Sequence, residues 1–288
     1  SLLLVGFVAD IKSPVFLESL LGETIGWRGC FYMLGIVGVF LGLCMLLFKD
    51  KKRIEIQNST NSQEEKLSFA EVMTILVNAL KKSPALTLTI SGGVFYHIIL
   101  GAAAFEQIWL VEERGFDRSV IAQISGIIAV FAGLAGVLFG GLVSDWWLEK
   151  TNQGRPIFLF WLSLILLPIG VIYRFVEPTT VIFWVGVVVG YFQLGCFYGP
   201  TFSTVQELVP EKIRATIVAF YILCINLIGL TIGSLGAGIF IDLTRDTLAE
   251  PYTWSLLVFG FIGSLAIPCY YIAGRRYARD KANLETAL

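Results

Sequence analysis

A histidine and a glutamate in one long apolar segment have the clearest capacity for acid–base chemistry in this chain. His97 is the only histidine among 288 residues, and Glu106 follows nine positions later with Gln107 beside it. A titratable group inside hydrocarbon is costly unless it faces a polar cavity, so these residues are candidates for a substrate or proton path. The alternatives are a neutral histidine bonded to a neighbouring helix and a glutamate that reaches the outer membrane surface.

Polar side chains on other apolar segments extend this set of path candidates. They are Gln123, Gln193, Tyr198 and Asn226. An amide or hydroxyl group in lipid must find a hydrogen-bonding partner, and the ordinary outcome is a contact between helices worth about 0.6 kcal/mol. The alternative is that each of these side chains lines a cavity on a substrate or proton path.

Other kinds of site find no support in the sequence. The five cysteines lie in or beside apolar runs without CxxC spacing, so no disulfide framework, metal site or cofactor is predicted. A single histidine without a catalytic cluster speaks against a membrane enzyme, and no ring of charge or filter-like loop indicates a channel. The formal net charge of −1 gives no basis for a nucleic-acid partner.

Long apolar segments carry all of these candidate residues. The chain is 56% hydrophobic and 15% charged, whereas soluble domains carry roughly 25% charged residues. Seven apolar runs are long enough to cross about 30 Å of hydrocarbon as helices, and open strands are excluded there because unpaired backbone groups are costly in lipid. The runs cover about 26–48, 86–111, 119–143, 157–175, 180–206, 216–241 and 253–274. The sequence therefore predicts an all-α polytopic membrane protein.

One long polar stretch divides the chain. Residues 49–85 begin as a charged linker and continue with apolar residues at helical spacing, which predicts a short helix on the membrane surface. The expected units are 1–48 as the end of one bundle, 49–85 as the linker, 86–274 as a six-helix bundle and 275–288 as a tail.

The distribution of positive charge predicts the orientation of the chain in the membrane. Of the 21 Lys and Arg residues, 15 lie in the linker, the tail and the alternate connections that share their side. Since cytoplasmic loops are enriched in Lys and Arg, we expect the linker and the C-terminus to be cytoplasmic. The lipid bilayer is then the main partner, in the inner membrane if the source is bacterial.

A polar motif between two apolar runs resembles a signature of the major facilitator superfamily. Gly141-x-x-x-Asp145 followed by Gly154-Arg155 is similar to the loop motif of that family in its C-terminal copy. It differs in having Trp146 in place of an arginine and six additional residues before Gly154. The segments IGWRGCFYMLGIVG and ELVPEKIRATIVAF also resemble the family, and GAAAFEQIWLVEERGF resembles its spinster-like branch.

The resemblance implies a secondary active transporter with two six-helix halves that alternate access to a central site. The chain is similar to the region from the end of helix five through helix twelve, namely the C-terminal half and part of the N-terminal half. The implied substrate is a small or amphiphilic, lipid-like organic solute, and protons are a candidate coupling ion. The chain opens with SLLLVGFVA, a run too short to span a membrane, so a fragment that lacks most of the N-terminal half is expected. The alternative is a short gene product that does not transport.

The resemblance also implies a conformational latch, meaning a contact that forms only when the cytoplasmic side is closed. Gly141, Asp145, Arg155 and Arg214 are its candidate residues. Asp145 is expected in the loop after the 119–143 helix, meeting a helix N-terminus of the opposite half, which stabilises a carboxylate by about 0.3–1 kcal/mol. Arg214 is expected to meet the matching loop of that half, so both partners would lie outside this chain. The alternative for Asp145 is an ordinary solvated loop acid.

Overall fold

The structure is a computed structural model that describes residues 28–46 and 68–285. The regular secondary structure in these ranges is helical throughout. They are α1 (Arg28–Met45), α2 (Phe69–Lys82), α3 (Pro84–Ala102), α4 (Glu106–Glu112), α5 (Arg118–Thr151), α6 (Pro156–Ile172), α7 (Val181–Glu207), α8 (Arg214–Leu223), α9 (Thr231–Thr244), α10 (Pro251–Gly263) and α11 (Ala266–Glu285). A 3₁₀ turn joins α3 to α4, another precedes α8, and a π-helical segment, Cys224–Leu230, joins α8 to α9.

These helices form long apolar stretches that match the predicted fold class. Five continuous stretches of the described chain are long and apolar enough to cross a membrane, and α6 is a shorter apolar helix. The five stretches are Pro84–Glu112, Arg118–Thr151, Val181–Glu207, Glu211–Thr244 and Pro251–Leu284. The prediction of an all-α polytopic membrane protein is confirmed.

Helix α3 lies at the centre of the bundle. It packs on the π-helical segment, α9, α10 and α11, and less extensively on α7. Helix α5 packs mainly on α7, while α6 packs on α7 and α11. We call the end of the bundle that carries α2, the 152–155 connection and the last turns of α11 the linker end. The opposite end, with connections 113–117, 173–180 and 245–250, is the far end.

The contact between α5 and α7 is a seam of backbone against backbone. A Cβ atom added to Gly140 would lie 2.5 Å from the Cα atom of Cys196, and one added to Gly136 would lie 2.2 Å from the carbonyl oxygen of Phe192. Glycine is therefore required at both positions. Gly141, one of the latch candidates, is less tightly packed, since a Cβ atom built there would meet no described atom within 4 Å and one built at Gly199 would lie 3.8 Å from the Gly141 Cα atom.

Helix α2 lies in the segment predicted as a linker with a surface helix. It begins with a capping box in which the Ser68 amide donates to the Glu71 carboxylate at 2.7 Å. Its Leu76 side chain is buried in the same hydrophobic cluster as residues of α3 and α7. The helix is therefore docked on the bundle and does not lie only on a lipid surface.

The last helix also differs from the predicted boundaries. Helix α11 continues to Glu285, so residues 275–285 are not a tail separate from the last span. The buried Asp280 carboxylate accepts hydrogen bonds from the Ser83 hydroxyl at 3.1 Å and the Ala85 amide at 2.7 Å. A carboxylate at a helix N-terminus satisfies free amides and interacts favourably with the helix dipole, so Asp280 fastens α11 to the start of α3.

Candidate functional site

An arginine at the linker end joins two acidic residues from different helices. The Arg155 Nε atom donates to the Asp145 carboxylate at 2.6 Å, and its Nη1 atom lies 2.8 Å from both carboxylate oxygens of Glu207. The Tyr277 hydroxyl donates to the same Glu207 carboxylate. We call these four residues the Arg155 cluster. It ties together the ends of α5, α6, α7 and α11.

The backbone before Arg155 explains how this side chain reaches its partners. Helix α5 ends at Thr151, and the next residue, Asn152, caps it with a positive φ of 52°, which turns the chain sharply. The Gly154 amide then donates to the Gly274 carbonyl at 3.0 Å, and a Cβ atom at Gly154 would lie 2.4 Å from the Tyr277 Cβ atom. Glycine therefore permits the connection to lie directly against α11.

The position of Asp145 corrects one prediction from the sequence. Asp145 was expected in a loop after residue 143, but α5 continues to Thr151, so Asp145 lies inside the helix. The additional residues before Gly154 extend α5 by about two turns. Because of this extension, Asp145 lies about one and a half turns before the end of α5, and its carboxylate contacts Arg155 from there.

The charges of the Arg155 cluster stabilise one another. Glu207 is the last residue of α7 and Arg155 immediately precedes α6, so each charge lies at the helix end where the dipole disfavours it. Burial alone would lower the pKa of Arg155, but its bonds to Asp145 and Glu207 outweigh this effect and raise the pKa above its usual value. The guanidinium group is therefore a permanent cation that neutralises Glu207.

Two of the latch candidates, Asp145 and Arg214, have ionic partners within this chain. Asp145 pairs with Arg155, although 59% of its side chain remains exposed. Arg214 pairs with Glu211 at 3.2 Å, three residues earlier, and both side chains are exposed. A salt bridge of this exposed kind contributes about 0–1 kcal/mol, so either pair can be exchanged for another partner at small cost.

A second charged group at the far end was not predicted from the sequence. The Arg114 side chain forms a salt bridge with Glu250 at 2.9 Å and donates to the Thr253 hydroxyl at 3.1 Å. Glu113 accepts hydrogen bonds from the Tyr252 and Thr253 amides at 2.7 and 2.9 Å, which caps the start of α10. Glu113 and Arg114 belong to the GAAAFEQIWLVEERGF segment, and Glu250 belongs to the loop before α10. The sequence alone does not show that these two connections meet, so their pairing could not be predicted from it.

A cavity of about 520 Å³ lies between α3, α6, α7 and α10. Three of the predicted path residues, Glu106, Gln107 and Gln193, line it. The Tyr173 hydroxyl donates to the Glu106 carboxylate at 3.2 Å, and the Gln193 amide donates to the Ser163 hydroxyl at 3.2 Å. The cavity thus combines apolar walls with a carboxylate and amides on two of its sides.

His97 does not line this cavity. Its imidazole is buried, and Nδ1 lies 2.9 Å from the Gly93 carbonyl oxygen, which can only accept, so Nδ1 carries the hydrogen. The ring packs edge-on against Phe197 and Tyr198 at centroid distances of 5.3 and 5.9 Å. These contacts favour the alternative of a neutral histidine held by its surroundings, although the partner is in its own helix.

The remaining path candidates lie elsewhere in the bundle. Tyr198 is exposed on α7, beside His97. Asn226 is exposed in the π-helical segment, and its amide donates to the Ile222 carbonyl oxygen at 2.9 Å. Gln123 is partly buried on α5. The structure thus separates the candidates into a cavity group and a group outside the cavity. Within the described ranges, no group of three or more His, Cys, Asp or Glu residues could hold a metal ion.

The chain shares its sequence pattern with a known protein family. The family model of the Major Facilitator Superfamily matches residues 14–234 of this chain. This match covers more than half of the sequence, including α1 and most of the six-span bundle. The chain belongs to the major facilitator superfamily. The Arg155 cluster therefore lies where the sequence resembles the loop signature of that family.

Two curated relatives are also similar to this major facilitator chain. An MFS-type efflux pump of Mycolicibacterium smegmatis is 25% identical over 271 residues, which is 91% of this chain and 59% of the relative. A probable L-galactonate transporter of Escherichia coli is 26% identical over 149 residues, covering 47% of this chain and 31% of that protein. The chain thus spans at most about three fifths of these relatives.

Solved structures share the fold. A bacterial homologue of the human lysosomal transporter Spinster, in an inward-facing and unoccupied conformation, matches with a TM-score of 0.72 at 18% identity. The match covers 97% of this chain and 68% of that one. The occupied inward-facing form matches with a TM-score of 0.66 at 19% identity. The fold is thus that of a spinster homologue, the branch that the sequence resembles.

Proposed function

We propose that the protein is a secondary active transporter that moves a small or amphiphilic organic solute across the membrane by alternating access. The Arg155 cluster supports this proposal, because it joins Asp145 and Arg155 of the family's loop signature to Glu207 and Tyr277 at four helix ends of one bundle. Such a cluster makes the linker end a rigid unit that can move as a whole. In alternating access, one bundle rocks against another around a site near the middle of the membrane.

The transport path is proposed to run along the side of the bundle that carries Tyr198 and Asn226. These two polar side chains are exposed, and they lie on neighbouring helices because α7 packs on α8 and the π-helical segment continues α8. π-helical segments occur often at functional sites, since the widened turn frees backbone groups and displaces side chains. An aromatic hydroxyl beside an amide suits a solute with both apolar and polar parts.

Membrane orientation belongs to the same proposal. The charge distribution favours a cytoplasmic position for the linker end, with α2, Arg155 and the end of α11. The Arg155 cluster would then act at the cytoplasmic gate. In the proposed latch, the exposed Asp145 exchanges its contact with Arg155 for a contact with the opposite bundle when that gate closes, at a cost of about 0–1 kcal/mol.

Transport can be tested in proteoliposomes with the protein expressed from its complete reading frame. We would measure uptake of a sugar acid, an amphiphilic cation and a single-chain fatty acid under an imposed pH gradient. At least one probe should accumulate. Tyr198→Ala should abolish its uptake, whereas Tyr198→Phe should retain part of it by keeping the ring. If none of the probes moves in folded protein under either direction of gradient, the proposed function is wrong for these solute classes.

The role of His97 is tested by a separate experiment. We expect His97→Gln to leave the pH dependence of uptake unchanged, because the imidazole donates to its own helix and packs against aromatic rings. Glutamine keeps a hydrogen-bond donor but does not titrate. Uptake measured from about pH 5 to 8 gives the comparison, since an unperturbed histidine titrates in this range. A profile that becomes flat while uptake persists would instead identify His97 as a proton carrier.

A further inference from the structure

The cavity between α3, α6, α7 and α10 opens on the outer surface of the bundle. Among the described helices, α6 packs closely on α11 and α7 but makes few contacts with α10. The large apolar side chains that both line the cavity and are exposed are Leu167 and Val171 on α6 and Phe261 on α10. The opening therefore lies between α6 and α10. Apolar residues at this opening make it accessible from the bilayer.

Two aromatic pairs delimit this opening. Phe160 of α6 and Tyr271 of α11 meet at a centroid distance of 5.0 Å towards the linker end. Phe175, just after α6, and Trp254 of α10 meet at 6.3 Å at the far end. Both pairs join the two sides, so the opening is a window with a defined top and bottom. The two sides are therefore separated only between these pairs and not along their whole length.

Glycines on three walls leave the space inside the window unfilled. Gly170 of α6, Gly190 of α7 and Gly260 of α10 all line the cavity, and a Cβ atom added to any of them would meet no described atom within 4 Å. Close helix packing therefore does not account for glycine at these positions, in contrast to the seam at Gly140. The volume of about 520 Å³ falls within the roughly 300–1,000 Å³ typical of small-molecule sites.

The polar end of the cavity has hydrogen-bond donors without partners. Arg174 is only 9% exposed, and its Nη1 atom has no hydrogen-bond partner among the described residues. The Gln107 Nε2 atom is likewise buried, and the Tyr191 hydroxyl lies near it without forming a full hydrogen bond. The guanidinium group lies over the Trp109 and Tyr173 rings, which fixes its position. Unpartnered buried donors are costly, so a ligand that supplies acceptor oxygens would bind there favourably.

We propose that this cavity binds a single-chain anionic amphiphile that enters from the bilayer between α6 and α10. The carboxylate or phosphate oxygens of the head group accept hydrogen bonds from Arg174 and Gln107, and the acyl chain lies between Leu167 and Phe261. The Glu106 carboxylate, which accepts from Tyr173, borders the same space and opposes an additional negative charge. The net preference for an anion therefore depends on Arg174.

This site is separate from the proposed transport path. Tyr198 and Asn226 do not line the cavity, and the window opens between helices other than those that carry them. Occupancy is measured by binding, so the result does not depend on whether the protein transports any of the tested solutes.

Photolabelling with a fatty acid that carries a diazirine near the end of its chain tests the site. The full-length protein in lipid nanodiscs is irradiated, and labelled peptides are identified by mass spectrometry. Label should concentrate on the α6 and α10 peptides around Gly170 and Phe261, and excess oleate should compete for it. Label spread evenly over the apolar surface, or label centred on Tyr198 and Asn226, would overturn the proposal.

Filling the cavity should remove the specific label. Gly260→Leu places a side chain in the open space of the window and should reduce labelling roughly tenfold. Gly170→Leu does the same from the opposite wall, so the test remains valid if one variant fails to fold. Gly133→Leu is the matched control, because Gly133 lies on α5 outside the cavity and also has open space in front of it. Equal labelling of all three variants would contradict the proposal.

Substitutions that neutralise Arg174 and Glu106 should change the affinity for the fatty acid in opposite directions. Arg174→Gln should weaken binding of the fatty acid by roughly tenfold or more, because a charge-assisted hydrogen bond is lost. Glu106→Gln should strengthen it, because a repulsive charge is removed. Neither variant should change the binding of a fatty alcohol with the same chain and photoreactive group. If the acid and the alcohol respond alike to both substitutions, an anionic head group is not recognised here.

Discussion

Replacing Arg155 with alanine should lower the free energy of unfolding by roughly 2–3 kcal/mol. The substitution removes two salt bridges and leaves Glu207, whose side chain is only 30% exposed, as an uncompensated anion at the C-terminal end of α7. We place the effect below the value for fully buried pairs because Glu207 still contacts water and the Tyr277 hydroxyl. Thermal and denaturant unfolding of the purified full-length protein measure it.

Two further variants identify which contact in the Arg155 cluster accounts for this loss. Glu207→Gln in the Arg155→Ala background should restore part of the stability, since the unpaired charge is then absent. Asp145→Asn alone should cost less than about 1 kcal/mol, because Asp145 is largely exposed. If Asp145→Asn is as destabilising as Arg155→Ala, the pair with Asp145, and not the pair with Glu207, holds the cluster together.

The same variants separate stability from gating. The proposed latch depends on the exposed charge of Asp145, so Asp145→Asn should change transport and the accessibility of a cytoplasmic reporter cysteine by up to about fivefold. Its effect on unfolding should remain small. A variant that alters neither transport nor accessibility would return Asp145 to a purely local role beside Arg155.

The fold class could be predicted from the sequence because it depends on a local property. Runs of apolar residues long enough to span hydrocarbon can only be helices, whatever their neighbours are. The ends of the helices were less predictable. Helix α5 continues past 143 through Asp145 and Trp146 to Thr151, and α11 continues through Arg275 and Arg276, because polar residues can extend a helix beyond the membrane. Hydropathy marks where lipid ends and not where the helix ends.

The candidate sites could be predicted only in part, because their geometry depends on contacts between distant segments. The presence of polar residues within apolar runs made Glu106, Gln107 and Gln193 path candidates, and these three residues do line one cavity. The nine-residue spacing puts His97 and Glu106 about half a turn out of phase, so they do not share a face, but nothing local shows which of the two faces a cavity. Arg174 lies at the end of an apolar run, a place where a charged side chain commonly reaches the membrane surface. Its burial results from packing on Trp109, a residue 65 positions earlier in the chain.

Partners of the latch residues were missed for a related reason. Arg155 and Glu207 are 52 positions apart, and Arg155 was assigned to the signature without a partner. The resemblance directed attention to contacts with the opposite bundle, whereas the ends of α5, α6 and α7 meet within this one. An excess of charged residues at several helix ends on one side is the available signal in the sequence, and it does not specify the pairs.

Replacing Gly140 with alanine should lower the free energy of unfolding by roughly 1–3 kcal/mol. The added Cβ atom would lie 2.5 Å from the Cα atom and 2.6 Å from the carbonyl oxygen of Cys196, so α5 and α7 must move apart along their seam. Gly133→Ala, on the same helix but with open space in front of it, should instead leave stability unchanged or raise it by up to about 1 kcal/mol through helix propensity.

A double substitution shows whether the contact at Gly140 involves the backbone. The atoms of Cys196 nearest to the added Cβ are main-chain atoms, so shortening the Cys196 side chain cannot make room for it. Gly140→Ala combined with Cys196→Ala should therefore be at least as unstable as Gly140→Ala alone. Recovery of stability in the double variant would show that the side chain limits the approach of the two helices. If Gly140→Ala and Gly133→Ala unfold alike, α5 and α7 are not in direct backbone contact and the seam does not determine how this half of the bundle packs.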